Sequence, residues 1–374
     1  MFDHRRKILH LIETTGPGGA ETVLLSIVGR LNRDDFDSLV VVMGRGWLHE
    51  QLTDRGADVR IIHSSKANDW MFLRKLCRLV GTERVDLIHS HLDGMNFYAC
   101  LGGLLTRRPV IATFHGTVGD WHGAGIKSKL KYAVIRKRAT RVVAVSNYLK
   151  RELEQKWSFS SDRVTMIHNG VDFEALDAQV PKGSLRSDLG LEPGMPLIGM
   201  VGNIRAPKGY RYFVEAARLI RDRIPECRFL IVGHGEGALL HELTNQITTL
   251  GLADRVILTG FREDVAHILS QLDLFMLSSL TEGLSIATIE AMGLGRPVVV
   301  TDSGGPGEIV RDGETGFLVP PASAKALADR AVELLHNRAL AECMGHAARA
   351  HVRRRFSLEQ NVRSYEQLYR ECLS

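Results

Sequence analysis

The sequence predicts an α/β protein built as two tandem, doubly wound units, each a parallel sheet layered between helices. Short, nearly continuous β-branched runs alternate with helical stretches through the first half, the pattern of a sheet buried on both faces. Around residues 169–196 this lapses into the polar, Gly- and Pro-rich stretch NGVDFEALDAQVPKGSLRSDLGLEPGMP, and a second alternating series then begins. The length of 374 residues also exceeds the roughly 250 to 300 that one core fills, so two domains are expected.

In the first series the predicted strands are KILHLI, SLVVVMG, VRIIH, DLIHSH, PVIATFHG and RVVAVS, with a helix from Ala20 to about Leu31 after the first. In the second they are LIGMVGN, RFLIVGHG, RVILTGF, LFMLSS, RPVVVTD and TGFLVP. Beyond Pro321 the chain reads as helix to its end. The last stretch sets Val362, Tyr365, Leu368 and Tyr369 on one face, suited to packing back across the domain boundary. The expected domains are 1–172, joined by a returning helix at about 357–374, and 173–356. Between tandem units of this kind a cleft is expected, with ligands beyond the carboxyl ends of the strands.

Composition narrows the function classes. With 44% hydrophobic and 24% charged residues and no low-complexity tract, a folded protein is expected and disorder is excluded. Five cysteines without a CxxC pair or a Cys/His cluster argue against a disulfide frame or a zinc site, and for a cytosolic compartment. No apolar run approaches the ~18 residues of a membrane span, and RRKILHLIET has too short an apolar core for a secretory signal. Any contact with a membrane is therefore from its surface. The net charge of +5 is uneven: residues 1–172 carry 26 Lys/Arg against 18 Asp/Glu, and residues 173–374 carry 22 against 25. The halves are expected to face different partners.

Several strand-end motifs could carry chemistry. GPGGAE, with Gly18 and Gly19, follows the first strand and opens a helix, so its amides can approach a phosphate; a plain tight turn is the alternative. IVGHGEG fails the dinucleotide fingerprint in spacing and position, which is weak evidence for NAD. VGNIRAPKGY sets Arg205 and Lys208 after a strand, where a forked donor and a mobile point charge suit a diphosphate better than solvent alone. His115 ends ATFHG at the ligand-bearing edge and could bond a sugar hydroxyl or phosphate. His89 and His91 point the same way from one strand and need further ligands to hold a metal, which is not expected. DDFD, 34–37, lies at the wrong end of the sheet for a metal-diphosphate and reads as a solvated turn.

TEGLSIATIE places Glu282 in a loop and Glu290 inside a helix. If the helix runs from Gly283, the two lie ~12 Å apart at 1.5 Å per residue, against roughly 5 to 9.5 Å for a glycosidase pair. Between them the N–H groups of Gly283, Leu284 and Ser285 can receive an anion. Carboxylates that accept from hydroxyls, flanking amides that donate to phosphate oxygens, describe a nucleotide sugar better than two surface glutamates would.

In their order and spacing GPGGAE, FHG, AVSNYL, HNGVD, VGNIRAPKG, IVGHGEG, the E-x7-E segment 282–290, TDSGGPGEIV and GETGFLV resemble the retaining glycosyltransferases of family 4, across nearly the whole chain. That resemblance implies a GT-B fold of two facing Rossmann-like domains, an N-terminal one for acceptor and a C-terminal one for a nucleoside-diphosphate-sugar donor. It implies that Glu282 contacts the donor sugar's hydroxyls and Glu290 the ribose. Lys208 would neutralise the leaving diphosphate with amides of Gly19, Leu284 and Ser285, and His115 would orient the sugar. Where the family often has Gly-Arg, this sequence has Asn203, with Arg205 two residues on as a substitute. No metal and no cofactor are implied; the acceptor hydroxyl attacks from the face the diphosphate leaves, and the departing phosphate takes its proton.

The segment IKSKLKYAVIRKRATR, from Ile126 to Arg141, has seven Lys/Arg and no acid, with Ile126, Leu130, Ala133 and Val134 on one helical face. It could dock on anionic lipid or simply pack into its own domain. Nucleic acid is not expected, because aromatics do not interleave with the cations. Many relatives glycosylate lipid-linked acceptors, which fits a cytoplasmic protein peripheral on the inner face of a membrane and acting in polysaccharide or glycolipid synthesis. The competing readings are a GT-B-like sugar-nucleotide epimerase and an NAD-linked oxidoreductase.

Overall fold

The computed structural model describes residues 5–64, 69–116, 125–181, 186, 189–192 and 194–374; parts of the expected 169–196 connection and the side chain of Lys127 lie outside the described residues. Chain contacts divide the protein into one unit of Met1–Gly170 with Leu358–Ser374 and another of Val171–Ser357.

The first unit's strands are β1 (Arg6–Ile12), β2 (Phe36–Val42), β3 (Asp58–Ile61), β4 (Leu87–His91), β5 (Val110–Phe114), β6 (Arg141–Ala144) and β7 (Val164–Met166). They form a parallel sheet in the order β3-β2-β1-β4-β5-β6-β7. Both β4 and β5 are buried at every position; β5 reads as a nearly continuous apolar run, while β4 carries His89 and His91 into the same buried layer. Between the strands run α1 (Gly19–Arg30), α2 (Trp47–Asp54), α3 (Trp70–Thr82), α4 (Asp93–Thr106), α5 (Ile126–Arg138) and α6 (Asn147–Trp157). The strand order reverses between β1 and β4, so this is the unit's switch point, where open α/β sheets bind ligands.

The second unit opens with α7 (Phe173–Ala178), capped by Asp172, whose Oδ1 accepts from Ala175 N at 3.0 Å. Val171 N donates to Phe356 O at 2.9 Å, which ties this start to the unit's end. Its strands are β8 (Leu197–Val201), β9 (Arg228–Val232), β10 (Val256–Gly260), β11 (Leu274–Leu277), β12 (Val298–Thr301) and β13 (Phe317–Val319). They are parallel in the order β10-β9-β8-β11-β12-β13, with the switch point between β8 and β11. The helices are α8 (Tyr210–Arg221), α9 (Gly237–Thr249), α10 (Val265–Gln271), α11 (Ile286–Gly293), α12 (Pro306–Ile309), α13 (Ala324–His336) and α14 (Arg338–Arg355).

The last helix, α15 (Leu358–Leu373), returns to the first unit. Its predicted apolar face is its packed face: Tyr365 and Tyr369 are fully buried. Polar contacts fix its register. Asn361 Nδ2 donates to His168 O at 2.6 Å, Glu366 accepts from Asn32 N at 2.9 Å, and Arg370 pairs with Asp35 at 2.7 Å. Asp35 thus anchors the returning helix, a role the expected solvated turn at 34–37 did not include.

Candidate active site

The loops after β8 and β11 meet across the second unit's switch point. After β8, Gly202 and Asn203 lead to a 3-10 turn, Ala206–Lys208, closed by Gly209 at φ +62. A Cβ on Gly209 would stand 2.3 Å from Ser278 O, so only glycine both takes this backbone and passes β11 so closely. The turn sets Lys208 Nζ 2.7 Å from Glu282 Oε2, with side-chain exposures of 22% and 15%. Ser279 Oγ donates to the same oxygen at 3.1 Å. Glu282 Oε1 has no partner among the described residues. Arg205, by contrast, is exposed and makes no side-chain bond among the described residues.

The structure corrects the expected helix between the two glutamates. It starts at Ile286, not Gly283, because Glu282 is held in a bridge with Gly304: Glu282 N donates to Ser303 O and Gly305 N to Glu282 O, each at 2.9 Å. Gly305 has no room for a side chain there, since a Cβ would lie 2.0 Å from Gly283 O. Ser285 is the N-cap, its hydroxyl accepting from Thr288 N at 3.3 Å. The ~12 Å helical separation therefore does not apply. What survives is a short run of amides, Gly283, Leu284 and Ser285, with no acceptor among the described residues, leading into a helix start. Glu290 lies one turn inside, and desolvation pushes its carboxyl up to about 7. Gly233, in IVGHGEG, packs against backbone: a Cβ would sit 2.1 Å from Gly202 O, which accounts for that glycine without a dinucleotide.

In the first unit, Gly18 caps α1 and Gly19 is its first residue. A Cβ on Gly18 would come within 2.5 Å of Glu21 Oε2. Beyond β5, His115 is half-buried, and its Nε2 lies 2.9 Å from His91 Nδ1. His10, which the sequence reading passed over, is the register partner of His89, so His10, His89 and His91 share one buried face. Their ring nitrogens come within 4.8 Å of one another, whereas zinc–nitrogen bonds of about 2.0–2.1 Å would draw tetrahedral donors to roughly 3.4 Å. Both nitrogens of His89 are also engaged, with Tyr369 OH at 2.6 Å and Thr113 Oγ1 at 2.8 Å. The trio is an aromatic stack, not a formed coordination shell. Burial lowers His10 to about 3 and His115 to about 4, and holds His89 and His91 well below the usual range, so all four rings are neutral at pH 7.

A second residue missed at the sequence level is Glu13, just past β1. Desolvation, then the charge of Asp93, raises its carboxyl, and a Cβ on Gly94 would collide with its Oε2. The available signal was its place one residue beyond a strand at the ligand-bearing edge.

Known families share this construction. Residues 17–175 match the model described as Glycosyltransferase Family 4, and residues 195–337 that described as Glycosyl transferases group 1. The chain belongs to the group 1, family 4 glycosyltransferases. This glycosyltransferase is 28% identical, over 97% of its length and 96% of the relative's, to an Escherichia coli UDP-Gal:alpha-D-GlcNAc-diphosphoundecaprenol alpha-1,3-galactosyltransferase. It is 28% identical to the alpha-D-kanosaminyltransferase of Streptomyces kanamyceticus, over 80% of this chain and 79% of that one. Among solved structures, Anabaena HepE in complex with UDP and glucose superimposes with a TM-score of 0.88 at 22% identity, over 98% of this chain and 100% of HepE. The fold of the glycosyltransferase is GT-B, as its resemblance implied, and the epimerase and oxidoreductase alternatives are left without support.

Proposed function

We propose that this glycosyltransferase moves a hexosyl unit from a nucleoside-diphosphate sugar, a UDP-sugar first, to a hydroxyl of a lipid-linked or growing surface glycan, with retention and without a metal ion or cofactor. The observation that carries this reading is the Lys208–Glu282 pair across the second unit's switch point, beside the unpaired amides of residues 283–285. Glu282 has one oxygen held and one open, which suits it to accept from a sugar hydroxyl. Lys208 and the amides offer the positive charge that a metal would otherwise bring to a leaving diphosphate. Glu290, ionised above about pH 7, would accept from the ribose hydroxyls.

Retention, as the family resemblance implies it, sets the bond changes. The bond from the anomeric carbon to the diphosphate oxygen breaks and one to the acceptor oxygen forms on the same face. The acceptor's proton passes to the departing phosphate. Gly18 and Gly19 would bring amides of α1 to the diphosphate, His115 would orient the sugar, and Arg205, exposed, could fold onto the phosphates on binding. The first unit would receive the acceptor and the second the donor.

The galactosyl transfer to a diphosphoundecaprenol-linked sugar by the Escherichia coli relative and the UDP and glucose bound by HepE support the choice of donor and acceptor classes. No helix among the described residues is long and apolar enough to cross a membrane. However, α5 packs through Tyr132 and Ile135 while Ile126 and Leu130 stay 86% and 66% exposed among lysines. That is a face for anionic lipid, and it supports a peripheral place on the cytoplasmic side.

The test is transfer itself. Thermal-shift screening against UDP-, GDP- and ADP-sugars selects the donor, and transfer to a polyprenyl-diphosphate sugar, with and without chelator, is read by NMR for anomeric configuration. Transfer with retention, unaffected by chelator, is expected. An inverted product, or loss of activity on chelation, would refute the mechanism, and no transfer from any donor would refute the assignment.

A further inference from the structure

We infer that His91 is a positioning residue that fixes the tautomer of His115, so that His115 presents an Nδ1–H donor, not a base, to the substrate oxygen it meets. The inference rests on the role proposed above for His115.

Sequence and register bring the two rings together. In the run HSH, period-two alternation puts His91 on the face of His89, and His91 is the register partner of Thr113 on β5. His115, two residues past Thr113, falls on that same face at the strand's end. The rings stack at a centroid separation of 5.1 Å, and His91 is itself held by the His89 ring at 4.3 Å. Fully buried and packed on both sides, His91 has little freedom to turn away.

The 2.9 Å contact between His91 Nδ1 and His115 Nε2 needs one proton. Each neutral ring has one N–H and one lone pair, so the contact can be made in two ways. Were His115 to donate through Nε2, His91 would carry its own proton on Nε2, a nitrogen buried without an acceptor. His91 is fully buried, so this N–H would have no acceptor among the described residues and lie out of a substrate's reach. With His91 donating through Nδ1, the deep nitrogen is left with only a lone pair, and the second N–H moves to His115 Nδ1 at the strand-end edge of the sheet. That nitrogen also lacks a partner among the described residues, and with His115 only half-buried at the strand's end a sugar hydroxyl or phosphate oxygen would supply one. Only the second arrangement has its unpaired donor satisfied by an oxygen-rich substrate. It also denies His115 a role as general base, consistent with a departing phosphate that takes the acceptor's proton.

Nitrogen NMR of the whole protein with labelled histidine tests this without substrate, the His115 signals being assigned by their loss in His115→Asn. The wild type is expected to show protonated Nδ1 and unprotonated Nε2 at His115. His91→Phe removes the donor, so the proton should shift toward Nε2, and kcat should fall about tenfold with donor KM little changed, the worth of one hydrogen bond. His91→Asn places an amide N–H where Nδ1 lay and should restore the tautomer and kcat to within about threefold. A wild-type His115 protonated on Nε2 would overturn the inference, as would a His91→Phe enzyme with unchanged tautomer and kcat. Absence of glycosyl transfer by the wild type would refute the proposed function instead, and the tautomer would still be read.

Discussion

Replacing Lys208 with Ala separates two things the lysine could do: hold Glu282 in place, or carry charge to the leaving group. The structural part is modest. A fully buried ion pair that loses one partner costs about 3–5 kcal/mol and an exposed pair about 0–1. With exposures of 22% and 15%, and Ser279 Oγ still 3.1 Å from Glu282, the loss should be about 1–2 kcal/mol. At roughly 2–4 °C per kcal/mol for a unit of this size, the second unit's melting should fall about 2–8 °C with the fold intact. The catalytic part is larger: removing one preorganised group that stabilises developing charge costs about 10²–10³ in kcat. Nucleoside-diphosphate release at saturating donor measures it, and a cycle with Glu282→Gln apportions it. If Lys208 serves only to position Glu282, the double variant is no slower than Glu282→Gln. If Lys208 meets the leaving group, the double variant is slower by a further factor of about 10². A Lys208→Ala enzyme with kcat within about threefold of wild type refutes the reasoning.

Glu290 gives a pH signature. Its folded carboxyl titrates at about 7 against an ordinary 4.5, so the folded protein binds the proton more tightly. Its contribution to stability therefore declines as pH rises from 4.5 to about 7 and then levels off. In urea titrations across that range Glu290→Gln should lack this decline, and its donor KM should not improve as pH passes 7; parallel profiles for both proteins would count against the burial. Gly209→Ala forces a side chain to φ +62 and onto Ser278 O, so melting of the second unit should drop by several degrees and kcat fall with Lys208 misplaced; an unperturbed variant would contradict the close approach. Ile126→Asp with Leu130→Asp should abolish flotation with anionic liposomes and leave transfer to a water-soluble acceptor unchanged, whereas undiminished flotation would exclude α5 as the lipid face.

Strands buried on both faces, such as β5, β11 and β12, wrote themselves as apolar runs, whereas the edge strands β3 and β10, only partly buried, were legible through their β-branched residues. β7 was missed because three residues, Val164–Met166, hold too little pattern to stand out from a loop. The start of α11 was misplaced because the bridge from Glu282 to Gly304 is tertiary, and the sequence of TEGLSIATIE carries no trace of it. Asp35 read as solvated since its partner, Arg370, is 335 residues away. The contact of Lys208 with Glu282 was not written in the sequence, but both residues stood out in it because they follow strand ends, where charge has little reason to gather without a ligand or a partner. His10 did not, because an imidazole in mid-strand acquires meaning only through register with His89, which neighbouring residues do not specify.

The two switch points carry different kinds of polarity, and the difference bears on which substrate each unit would take. At the second, a cation, unpaired amides and a half-open carboxylate stand together; at the first, four imidazoles are kept uncharged by burial. A diphosphate gains from the former in its ground state and more as charge develops on leaving. A hydroxyl acceptor carries no charge to be matched, and a protonated histidine beside it would add an anion site where the proposed reaction needs none. Desolvation of the histidine cluster removes that charge at physiological pH, which suits the histidine face of the first unit to a neutral hydroxyl. Introducing a fixed cation at the first site, as His115→Lys, should therefore tighten binding of free nucleoside diphosphate while lowering kcat by at least tenfold. Calorimetry and turnover on the same preparation would show it, and a variant with weaker diphosphate binding and unchanged kcat would remove charge from the explanation.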